Sequence, residues 1–90
     1  MMDNNVNKLT EYIEAGKFYF LNQKYNEALL YFMKAIEIEP DNIEALYSVG
    51  ILYESINEFD KAMDYFKKVV GLSPDHNDAL VHINKISKNE

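Results

Sequence analysis

Residues 43–76 read IEALYSVGILYESINEFDKAMDYFKKVVGLSPDH, two amphipathic runs separated by a short break. Leu46, Val49, Leu52 and Tyr53 recur at helical spacing in the first run, and Ala62, Met63, Phe66, Val69 and Val70 in the second. Asp41 and Asn42 offer a cap before the first run and Asp60 before the second, while Gly71 and Pro74 end it. A break this short turns two neighbouring helices into an antiparallel hairpin.

The same pattern occupies residues 9–42, LTEYIEAGKFYFLNQKYNEALLYFMKAIEIEPDN. At an offset of 34 residues, Gly16, Tyr19, Ala28, Phe32 and Pro40 return as Gly50, Tyr53, Ala62, Phe66 and Pro74. A repeat of this length is one supersecondary unit that buries its apolar face against a copy of itself. Expected helices run from about Val6 to Leu21, Asn26 to Ile38, Ile43 to Ser55, Asp60 to Leu72 and Asn77 to Ser87, with Asn26 and Asp60 as caps. No period-two alternation points to a strand. Gly16 and Gly50 sit inside helices, where glycine costs roughly 0.5–1 kcal/mol relative to alanine. Their recurrence implies a close approach of two backbones, with Phe32 and Phe66 filling the space beside it.

These residues resemble the tetratricopeptide repeat family, whose signature places a large residue, a glycine, a tyrosine, small residues, an aromatic and a proline at set offsets. The first copy supplies Tyr12, Ala15-Gly16, Tyr19, Ala28, Phe32, Ala35 and Pro40, and the second Leu46, Val49-Gly50, Tyr53, Ala62, Phe66, Val69 and Pro74. Tryptophan is missing and Val69 replaces the second small residue, both mild departures. The resemblance implies an all-α, right-handed solenoid forming a single domain: an extension at residues 1–8, repeats at 9–42 and 43–76, and a capping helix with a tail at 77–90.

It also implies that the first helix of each repeat lines a concave groove that holds a partner. The positions facing away from the core then give a candidate site of Ile13, Lys17, Phe20, Tyr47, Ser48, Ile51, Glu54, Val81 and Lys85. Thr10, Leu21, Glu44, Asp78 and His82 share that face. Contiguous apolar residues rimmed by charge mark binding surfaces more often than scattered ones do. One subclass of the family clamps a chaperone's terminal carboxylate with lysines and asparagines. The corresponding positions here are Ile13, Lys17, Ser48, Asp78 and His82, and Asp78 would repel such a carboxylate. Glu14, Glu44, Glu54 and Asp78 suit instead a partner carrying apolar anchors and basic residues.

Composition excludes several other classes. The formal charge is −6 and every basic residue is lysine, which disfavours nucleic acid. No cysteine is present, ruling out disulfides and thiolate chemistry. Neither a leader-like segment nor an apolar span is visible, so no membrane partner and a cytoplasmic location are expected. His76 and His82 lie six residues apart without metal-ligand spacing and read as solvent-exposed; no metal, cofactor or catalysis is expected. The function expected is a protein–protein interaction module or scaffold. The alternative is structural self-association, a homodimer or stack through the same groove, because two repeats fall short of the usual stable array.

Overall fold

The computed structural model describes residues 4–88. Five helices follow one another: α1 (Asn4–Leu21), α2 (Tyr25–Ile38), α3 (Ile43–Ser55), α4 (Phe59–Leu72) and α5 (Asn77–Lys88). There is no strand among the described residues. α1 pairs with α2 and α3 with α4 as two hairpins, α2 packs on α3, and α5 closes on α4. The particle measures 49 × 29 × 16 Å, a slab two helices thick rather than a ball. α1 starts at Asn4, so most of the stretch read as an extension is the first turn of that helix. Residues 1–3 lie outside the described part.

Local chemistry explains the helix ends. Gln23 and Asn57, equivalent positions of the two hairpin turns, take left-handed backbone with φ of 61° and 64°. Around the first, Lys24 N–H donates to Tyr19 C=O (2.9 Å) and Gln23 N–H to Phe20 C=O (2.9 Å). Asn57 and Glu58 repeat this pair on Glu54 and Tyr53. This double closure is the Schellman arrangement, here built without glycine. The C=O groups of Lys24 and Glu58 at once accept the N–H of Ala28 and Ala62, opening the next helix. One residue therefore ends one helix and starts the other. That corrects the expected caps: Asn26 and Asp60 lie inside α2 and α4, and Lys24 and Glu58 cap them with no side-chain bond.

The turns between repeats are capped by side chains. Asn42 Oδ1 accepts the N–H of Ala45 at 2.8 Å, as expected. His76 Nδ1 does the same for Ala79 at 3.1 Å.

The core runs along the middle of the slab. Phe32 and Phe66 are its largest fully enclosed side chains, joined by Leu52, Val49 and Val69. A Cβ added at Gly50 would fall 2.7 Å from the ring of Phe66, and one added at Gly16 closer still to Phe32. A partner ring, not a second backbone, thus occupies the space beside each glycine. α5 has Asn84 where the hairpins have Gly16 and Gly50, and Ser87 where they have Tyr19 and Tyr53. α5 therefore lacks the glycine beside which each hairpin seats its phenylalanine.

Candidate functional site

Two ion-pair clusters tie the first helices of successive repeats into one face. Lys17 of α1 pairs with Glu44 of α3 and lies 3.9 Å from Glu14 of its own helix. The Glu44 hydrogen bond raises the Lys17 ammonium above its ordinary pKa, against a smaller opposing effect of desolvation. Farther along, Glu54 of α3 meets His82 Nδ1 at 2.8 Å and Lys85 Nζ at 3.9 Å, both on α5. The His82 nitrogen is close to the carboxylate yet off the line of a good hydrogen bond. α1, α3 and α5 therefore share a surface.

Between α1 and α3 this surface opens into an apolar cavity of about 280 Å³ lined by Lys17, Phe20, Leu21, Phe32, Tyr47, Ser48 and Ile51. Phe32 belongs to the core and forms its floor; Leu21 stands at the edge, 80% exposed. Five of the nine candidate residues meet here: Lys17, Phe20, Tyr47, Ser48 and Ile51. Glu54 and Lys85 line a separate, more polar depression with Ser55, Asn57 and Phe59. Val81 is exposed and lines neither.

Ile13 is a correction. Expected in the groove, it is only 6% exposed and packs with Ala35 and Ala45 in the core. Ile13, Tyr47 and Val81 occupy the same position in successive units. The following repeat covers Ile13 through Ala45, α5 half-covers Tyr47, and among the described residues no further hairpin covers Val81. The same gradient blurs the division between core and groove, because Tyr47 and Ile51 also pack against the cluster around Leu46 and Phe66.

The histidines need a second correction. Both are half-buried rather than solvent-exposed. His82 stacks on Phe66 at 5.0 Å between ring centroids, and the Tyr47 ring lies 5.1 Å from His76 and 6.0 Å from His82. Burial first, then the charges of Asp78 and Glu54, raises the Tyr47 phenol above its ordinary pKa. The face shared by α3 and α5 therefore carries carboxylates next to an aromatic cluster. No group of His, Asp and Glu among the described residues is arranged to hold a metal ion.

A family model described as TPR repeat matches residues 16–57, and one described as Tetratricopeptide repeat matches residues 43–76. The chain belongs to the tetratricopeptide repeat family. The two matches together span residues 16–76, from the last turns of α1 to the end of the second hairpin, and include both glycine–phenylalanine pairs. Tetratricopeptide repeats are in general protein–protein interaction modules and typically non-catalytic. No curated protein matches the chain. Within the described residues, no helix is long and apolar enough to cross a membrane.

Proposed function

We propose that the concave face holds a segment of a partner protein, with one apolar side chain seated in the cavity between α1 and α3. The observation that carries this reading is the cavity itself, apolar in its walls and edged by charge. Its volume admits one large aromatic or branched side chain with space to spare. Glu14, Glu44, Glu54 and Asp78 stand against Lys17 and Lys85 on this face, leaving it net acidic. Lys17 is already committed to Glu44, so a carboxylate terminus finds no free cation there. A partner with an apolar anchor flanked by lysine or arginine is complementary in both shape and charge.

Peptide selection against the wild-type protein and against Ser48→Arg tests this. Arginine at position 48 would fill the cavity and repel basic ligands while leaving the core untouched. Selected peptides should share an apolar anchor with nearby basic residues and lose at least tenfold in affinity for Ser48→Arg. Peptides without a common anchor, or with unchanged affinity for the variant, would refute the assignment. The net acidic charge of the face argues against pairing two copies through it, since both would bring the same sign.

A further inference from the structure

The two repeats share a pattern, and among the described residues only the second has both of its sides covered. Val49 and Leu52 of α3 seal against Ala28 and Phe32 of α2. One repeat earlier, the same positions of α1 hold Ala15 and Phe18, and no helix covers them among the described residues. Leu52 is 1% exposed, whereas Phe18 is 61% exposed. Tyr65 of α4 also reaches α2, its hydroxyl 3.9 Å from the sulfur of Met33. Its counterpart on the first hairpin is Tyr31. Phe18, Tyr19, Tyr31 and Tyr12 form a continuous chain of ring contacts, with centroids 5.4, 5.5 and 6.1 Å apart. Leu30 is 55% exposed at the position where the second repeat carries Asp64. The face is therefore more apolar than its own repeat requires.

We propose that this free face of α1 and α2 is a second docking surface, distinct from the groove, which receives one amphipathic helix of a partner protein. The internal repeat interface gives the chemistry of that helix. Seated as α2 sits on α3, it would present a small residue and a phenylalanine, as Ala28 and Phe32 do, to Ala15 and Phe18. One interface position changes to a charged residue. Ala45, packed against Ala35 across the internal interface, is replaced on the first hairpin by exposed Glu11. The docked helix therefore carries lysine or arginine where α2 has Ala35, giving charge complementarity at that point. A second copy of this chain has no such helix to spare, because its α2 and α4 are already covered by α3 and α5.

The probe is a synthetic peptide of residues 24–39 with Ala35→Lys, stapled across the solvent-facing positions 26 and 30 so that helix formation does not limit binding. Titrated into the full-length protein, it should shift the amide signals of Phe18, Leu30 and Tyr31. Phe18→Glu should weaken it at least tenfold, with the helical circular dichroism of the protein unchanged. The peptide keeping Ala35 should bind several-fold more weakly, and the one with Phe32→Ala weaker still. Ser48→Arg should leave the affinity unchanged, so this surface stands or falls separately from the groove. The proposal is overturned by no shifts at millimolar peptide, by shifts confined to Lys17, Ser48 and Ile51, or by affinity indifferent to Phe18→Glu. It is equally overturned if the protein alone dimerises through this face, seen as concentration-dependent sedimentation that Phe18→Glu abolishes.

Discussion

Gly50 and Phe66 act as one unit, the absence of a side chain on α3 being the space in which a ring of α4 sits. Gly50→Ala would gain up to about 1 kcal/mol of helix propensity. It would also drive a methyl group into a fully buried ring, and overpacking of this kind costs about 1–3 kcal/mol. The clash should prevail, and urea unfolding should show a net loss of stability. A gain would mean that the ring can move aside. Phe32→Ala at the matching position of the first hairpin should cost about 3–5 kcal/mol as a core truncation. Ile51 is a poor probe of the groove, since its side chain serves the interior as well. Titration supplies a further residue-level test. Tyr47 and Tyr65 have raised pKa values, chiefly through burial, so the fold favours their neutral forms. Lys17 is raised by Glu44, so the fold favours its charged form. In all three the favoured species is the protonated one. Their contribution is complete below the unfolded pKa values, about 10 for tyrosine and 10.4 for lysine, and is lost as pH rises through the folded ones. Tyr47→Phe with Tyr65→Phe should flatten the alkaline fall in stability measured by urea titration between neutral and strongly alkaline pH. An unchanged alkaline slope would contradict the burial of these phenols.

Each hairpin hinges on a turn closed by backbone alone. Gln23 holds a left-handed conformation that suits glycine far better, the penalty for an L-residue being roughly 1–2 kcal/mol. Gln23→Gly should raise stability by roughly 1 kcal/mol, read as a higher urea midpoint; a lower midpoint would mean the Gln23 side chain matters to the turn. Asn42 works in the opposite way, through its side chain, and Asn42→Ala should cost about 1 kcal/mol. The contrast shows what was legible at the level of elements. Asn42 was readable because a capping side chain advertises itself. Lys24 and Glu58 are not, because a backbone closure leaves no trace in residue type, whereas Asn26 and Asp60 carry side chains typical of caps. The hairpins, the glycine–phenylalanine pairs and the helical class were legible because each occurs twice at one offset. Ile13 was misplaced for the converse reason. Its burial depends on how closely the next repeat approaches, and no single helix encodes that.

The molecule as a whole is a short solenoid with unequal surfaces. The face shared by α1, α3 and α5 joins an apolar cavity to several carboxylates, the Lys17–Glu44 and Lys85–Glu54 ion pairs tie α1 to α3 and α3 to α5, and among the described residues no helix covers the aromatic face of the first hairpin. Of the first-helix positions named from the sequence, Lys17, Phe20, Tyr47, Ser48 and Ile51 line one cavity. The sequence did not separate Glu54 and Lys85 into their own depression, because that depends on where α5 docks. Nor did it reveal that His82 stacks on Phe66 beneath Tyr47, since nothing in the spacing of one histidine specifies a ring contact across two other helices. The most direct measurement is amide chemical-shift mapping of the protein titrated with a peptide selected for an apolar anchor beside lysine or arginine. The shifts should concentrate on Lys17, Phe20, Leu21, Tyr47, Ser48 and Ile51. Shifts that spare this set and fall on the outer faces of α2 and α4 would contradict the assignment of the groove.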